Sequence, residues 1–220
     1  MEQALNSIPD IIVSDIMMPV MNGITMCKIL KEDVRTSHIP IILLTAKDSL
    51  QDKEEGYQVG ADSYLTKPFS ATLLHSRINN LLESRKRLTE RFNTSTPHHN
   101  MDEKRALLAE SLNKLDNEFI EKINQLIEAR LSSEKIDIGY LADNMCMSKS
   151  TLYRKMKALT GLSTNEYVRK IKMQHAERLL LEGRYNISEV AFRVGINSVV
   201  YFRQCFKEEF GVLPSEYLKQ

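Results

Sequence analysis

One pattern occurs at residues 138–159 and again about fifty residues later, and this repeat limits the possible folds more than any other feature. In the first copy Ile138, Leu141 and Ala142 mark one side of a short helix, and residues 143–147 break it. Ser148 then precedes a second helix carrying Leu152, Met156 and Leu159. A serine hydroxyl accepts from the free N–H groups of a first turn, so it belongs where a helix begins. In the second copy Ile187, Val190 and Ala191 form the short helix, residues 195–197 the turn, and Ser198 caps a helix bearing Phe202, Phe206 and Phe210. Apolar residues at this spacing bury one helical face each, and strand signals are nearly gone from this half, which predicts an all-α region. Between the copies, residues 166–181 read as one helix with Tyr167, Ile171, Ala176 and Leu180 spaced for burial. Such a helix holds two units at a fixed separation.

Charge separates the chain further. The formal net charge is +1, yet residues 1–84 carry seven Lys/Arg against eleven Asp/Glu, while residues 148–172 carry seven against one. A change of that size predicts two jobs, the second with a polyanion. Lys149, Ser150, Tyr153, Arg154 and Lys157 lie opposite the apolar positions of their helix. A short helix, a tight turn and a helix with a basic outer face suit entry into a DNA major groove. The longest unbroken apolar run, residues 41–44, is far too short to span a bilayer, so no membrane contact is expected. The acidic start MEQALNSIPD is unlike a secretion signal. Cys27, Cys146 and Cys205 form no paired framework, which fits a reducing cytoplasm and predicts three buried thiols.

At this point a family resemblance becomes specific. SKSTLYRKMKALTGLSTNEYVRKIKMQHAERLL (148–180) and ISEVAFRVGINSVVYFRQCFKEEFGVLPSEY (187–217) resemble the DNA-binding domain of AraC/XylS-type transcription regulators, over residues 118–220. The resemblance implies base contacts from Ser150, Tyr153 and Arg154, with Arg154 suited to both acceptors of guanine. It implies phosphate contacts from Lys149, Lys157 and Lys172, which position without specifying. In the second unit the reading face offers Val200, Tyr201 and Gln204. Gln204 stands where many members carry Arg; glutamine reads adenine and valine touches a thymine methyl. The second reader is therefore expected to be the less basic one.

The first third has a different grammar. Residues 11–13, 39–45 and 63–66 are β-branched or apolar runs, separated by amphipathic helical stretches near 23–34 and 50–59, with a longer one from Ala71. This predicts an α/β unit with a parallel sheet, whose chemistry collects where strands end: at Asp15, Thr45 and Lys67. A carboxylate nucleophile needs a cation beside it, and a nearby hydroxyl can bond a phosphorylated side chain. PDIIVSDIMMPVMNG, IPIILLTA and GADSYLTKPF resemble the receiver domain of response regulators over residues 9–82. The resemblance implies Asp15 as phospho-acceptor with a histidine kinase as donor, Thr45 as switch hydroxyl, Tyr64 as an aromatic that turns inward, and Lys67 as the partner cation.

Receivers start with a strand ending in two acids that help bind Mg²⁺; here Asp15 and the backbone carbonyl of Met17 are the ligands left, an incomplete and weak Mg²⁺ site. Loss of that strand leaves residues 11–15 as an open edge, so the chain is expected to be a fragment of a longer hybrid sensor or a homodimer paired along that edge. A phosphatase using Asp15 would need a second Asp where Met17 stands, so no enzyme is expected. The expected layout is a partial receiver with a long helix (1–92), a linker and connecting helix (93–117), and the DNA-binding domain (118–220). Two roles remain open: DNA binding controlled by aspartyl phosphorylation, or DNA binding beside a receiver that serves only for dimerisation or docking.

Overall fold

The computed structural model describes residues 2–46, 58–93, 113–132 and 136–218. Those up to Arg91, together with 113–116, form one compact unit, and those from Asn117 onward form another. The helix expected over residues 50–59 and most of the expected linker fall outside the described residues.

The first unit is α/β. After a short helix α1 (Glu2–Ser7), the apolar runs become β1 (Ile12–Asp15), β2 (Ile41–Thr45) and β3 (Ser63–Thr66). They pair in parallel in the order β1-β2-β3, with Asp15 level with Leu44 and Thr45 level with Thr66. Parallel neighbours need a crossover, and α2 (Gly23–Glu32) supplies the first. Its Ile24, Cys27 and Leu30 pack with Ile16, Ile41, Leu43, Ala61 and Tyr64 to make the core on that face. As expected, β1 is an edge of this sheet, and Val13 lies exposed on it. The long helix α3 (Ala71–Asn93) shows a half-buried stripe of Leu74, Ile78, Leu81, Leu82 and Arg85, with charged residues elsewhere.

Described residues of the second unit are helical. The helix α4 (Lys114–Glu128) is followed by α5 (Ile138–Asn144), α6 (Lys149–Thr160), α7 (Thr164–Leu181), α8 (Ile187–Arg193), α9 (Val199–Phe210) and α10 (Pro214–Tyr217). The fifty-residue repeat holds at the caps and ends of the two longer helices. Ser148 caps α6 by accepting from Thr151 N, and Ser198 caps α9 by accepting from Tyr201 N. Gly161 and Gly211 end the two helices in the left-handed region, φ 73° and 77°, where a side chain would be strained. Even the anchors repeat: Tyr167 donates to Asn124 on α4, and Tyr217 donates to Glu177 on α7. Phe202 and Phe206 are wholly buried, with Val190, Ala191 and Leu180 beside them. Their aromatic bulk builds the core of the second repeat, as the spacing predicted.

Candidate functional sites

The strand ends of the first unit bring Asp15 and Lys67 together. The Lys67 ammonium is ion-paired with Asp15 Oδ2, and both side chains are partly exposed. Lys67 is held there by its own backbone N–H, which donates to the Thr45 carbonyl at 2.7 Å, and the Lys67–Pro68 peptide is cis. On the other side, Asn22 accepts from Ile24 N at 2.8 Å and so fixes the start of α2, while Gly23 N donates to Ile16 O at 2.9 Å. Gly23 has no room for anything larger: a Cβ there would lie 2.3 Å from the Asp15 carbonyl oxygen. The Asn-Gly pair therefore fastens a helix directly behind the carboxylate-bearing residue.

Thr45 is buried at the end of β2, and Tyr64 is 8% exposed, within the core cluster of α2. Receiver domains generally bind Mg²⁺. Among the described residues, however, no group of three His, Cys, Asp or Glu could hold a metal ion. Asp15 carries a lysine as its partner, and one carboxylate falls short of the octahedral shell that Mg²⁺ demands. These residues do not make a Mg²⁺ site by themselves.

In the second unit Lys149, Ser150, Tyr153, Arg154 and Lys157 are all exposed on α6, opposite the buried Leu152, Met156 and Leu159. No acid interrupts that face. On α9 the exposed residues include Val200, at 77%, Tyr201 and Gln204. Arg203 and Lys207 are exposed there too, and the sequence reading missed both. The repeat itself could have found them, because an offset of fifty aligns Arg203 with Tyr153 and Lys207 with Lys157. Tyr201 aligns with Thr151, and its side chain is about half exposed. A hydrogen bond with Cys205 raises its pKa above the ordinary phenol value, while Arg169 acts in the opposite direction. The acids Glu208 and Glu209 offset the two cations, so α9 remains the less basic helix.

Two expectations are corrected. Lys172 was expected to touch phosphate, but it is 5% exposed, and its ammonium donates to the Gly195 carbonyl at 3.3 Å. It steadies the turn before α9 from the connecting helix and cannot face DNA. The dense positive charge of residues 148–172 is correspondingly thinner on the surface. Lys155 is buried over the Phe119 ring, 4.9 Å from its centroid, and Lys170 is buried 3.4 Å from Glu209. Long stems let lysines fill core space wherever the head finds a partner, which a count of charges does not register. The second correction concerns the thiols: Cys27 and Cys205 are buried, but Cys146 is exposed in the turn between α5 and α6, at φ 52°.

With this geometry established, comparison with known proteins gives matches to both units. Residues 1–79 match the family model of the response regulator receiver domain, and residues 141–220 match that of a helix-turn-helix domain. The chain is 36% identical over 214 residues to histidine kinase P4 of Formosa agariphila, which covers 97% of this chain and 15% of that protein. It is 43% identical over 82 residues to the DNA-binding dual master transcriptional regulator RpaA of Synechocystis, covering 37% of this chain and 34% of the regulator. Among solved structures it is similar to the C-terminal domain of AraT, a response regulator from Geobacillus stearothermophilus. That match has 31% identity, a TM-score of 0.42, and coverage of 46% of this chain and 84% of the other. The chain spans well under two thirds of the length of the curated relatives it matches.

Proposed function

Because this chain joins a receiver domain to an AraC-type helix-turn-helix domain, we propose that it is a sequence-specific DNA-binding transcription regulator of a two-component phosphorelay. The regulator reads double-stranded DNA through α6 and α9, in the cytoplasm, and takes its phosphoryl group from a histidine kinase. The observation that carries this reading is the exposed face of α6, three cations without an acid, set on a buried apolar core; the same helix-turn-helix plan, with a less basic face, recurs fifty residues later at α9. Arg154 is the principal reader of guanine in the first unit, with Ser150 and Tyr153 beside it. Lys149 and Lys157 hold the phosphate backbone; Val200, Tyr201 and Gln204 serve the second unit, joined by Arg203 and Lys207. The division into residues 1–92, 93–117 and 118–220 gives each activity its own segment.

In the receiver, Asp15 is the phospho-acceptor. Its Oδ2 already faces the Lys67 ammonium, which neutralises charge as a phosphoryl group arrives. Thr45, at the adjoining strand end, is the hydroxyl that bonds the new phosphate oxygens, and Tyr64 on β3 is the aromatic that turns in response. Pairing of two copies along the β1 edge would join receivers into a homodimer. The test is DNA affinity with and without a small phosphodonor, in the wild-type chain and in Asp15→Asn. Affinity that rises with phosphodonor in wild type alone supports the reading. Equal affinity in all four conditions leaves a DNA binder whose receiver only docks or dimerises, and absence of specific DNA binding removes the reading altogether.

A further inference from the structure

Glutamine is a poor reading residue unless its amide is held the right way round. It has three rotatable bonds before the amide, and the two ends of that amide carry opposite hydrogen-bonding character. Arginine needs less help, because its guanidinium presents a rigid planar fork. The two readers of this chain differ in this respect, Arg154 in the first and Gln204 at the matching place in the second.

Glu208 lies one turn beyond Gln204 on α9. Its Oε1 accepts from Gln204 Nε2 at 3.1 Å. A carboxylate can only accept, so the nitrogen must face it and the Gln204 carbonyl oxygen must face away. The second oxygen, Oε2, lies 3.6 Å from Arg169 Nη1, a residue of the connecting helix α7. The carboxylate is thereby tied at one end to the scaffold and at the other to the reading amide. Fifty residues earlier, next to Arg154, the matching position is Ala158, which offers no carboxylate. The acid occurs beside the reader that needs orienting. It also sits on a face meant for a polyanion, where a negative charge weakens binding.

Building on the DNA-reading assignment of α9, we propose that Glu208, fastened by Arg169, is a positioning residue for base specificity. It holds the Gln204 amide with one N–H and the carbonyl oxygen free to pair with adenine, at the expense of general affinity for DNA. Adenine presents an acceptor and a donor side by side in the major groove, and the held amide presents the complementary pair. Without the carboxylate, Gln204 would have to be ordered on binding, a loss equivalent to about two- to tenfold in equilibrium constant.

The experiment is in vitro selection of binding sites by the full chain, in wild type and in Gln204→Ala, Glu208→Ala and Glu208→Gln, with affinities measured on the selected duplex and on its single-base variants. Gln204→Ala identifies the base pair at stake, as the position whose adenine preference it loses. Glu208→Ala is expected to lower that preference about two- to tenfold while raising affinity for every duplex. Glu208→Gln, which can still accept from the amide but carries no charge, should raise affinity equally and keep the preference. Glu208 is exposed, and helical circular dichroism confirms that each variant is folded. Preference unchanged in Glu208→Ala overturns this inference alone, as does equal loss in both Glu208 variants. A wild-type chain that selects no sequence, or selects one with no dependence on Gln204, overturns the inference together with the reading of α9 beneath it.

Discussion

Replacing Lys172 by methionine separates two roles that the same residue type plays in this domain. Methionine keeps most of the lysine stem, so the space within the helical unit stays filled, but the ammonium that donates to the Gly195 carbonyl is gone. A hydrogen bond from a charged group contributes about 1.5–3 kcal/mol, and a carbonyl left without its donor costs about 1–3 kcal/mol. Part of this is returned, because an ammonium is no longer held away from water. A net loss of about 1–2 kcal/mol follows, roughly 5–15 °C in midpoint for a unit of this size. Thermal unfolding followed by helical circular dichroism reads that loss. DNA affinity across a salt series reads the other possibility, because each phosphate contact contributes about 0.9 to the slope of log affinity against log salt. Lys172→Met should leave the slope unchanged. Lys157→Ala, at an exposed residue of α6, should reduce it by about 0.9 and alter stability by less than about 0.5 kcal/mol. If Lys172→Met instead reproduces the slope change of Lys157→Ala with stability intact, the structural role assigned to Lys172 is refuted.

Gly23→Ala forces a methyl group towards the Asp15 carbonyl oxygen, 2.3 Å from where it would sit, and should cost about 1–3 kcal/mol of stability in urea titration. It should also slow phosphorylation at Asp15, read by intact mass after incubation with a phosphodonor. His175 on α7 is held below its ordinary pKa of 6.5, first by burial and then by Arg178, with Glu128 and Glu182 opposing. A depressed histidine pKa means that the unfolded chain binds the proton more readily, so this contribution to stability is present above pH 6.5 and lost as pH falls below it. His175→Gln should flatten that part of the stability–pH curve. Among the thiols, Cys146 should be alkylated rapidly at mild pH. Cys27, pushed up to about 11 by burial, should react only on unfolding, which mass mapping of labelled peptides checks.

Much of this was legible in the sequence because it depends on neighbours along the chain. Ser148 and Ser198 cap helices through the N–H groups three residues on, and Gly161 and Gly211 end them in a conformation open chiefly to glycine. The strand runs and the placing of Asp15, Thr45 and Lys67 at their ends follow from local periodicity as well. Arg203 and Lys207 were within reach of the fifty-residue offset, which sets them level with Tyr153 and Lys157.

Other features were decided only when distant segments met. Whether a lysine in a basic run faces water depends on what lies across from it: Gly195 for Lys172, Phe119 for Lys155, Glu209 for Lys170. Those partners are 23 to 39 residues away, so no periodicity marks them. The small space behind Asp15 and the tie from Arg169 through Glu208 to Gln204 are likewise products of packing. The sequence by itself determined the elements, their caps and the chemical types offered to solvent, because these are set by bonds within a few residues. The tertiary structure decided which charges remain on the surface and that Glu208 meets Arg169 across helices, because desolvation and long side chains respond to whatever the fold brings alongside them.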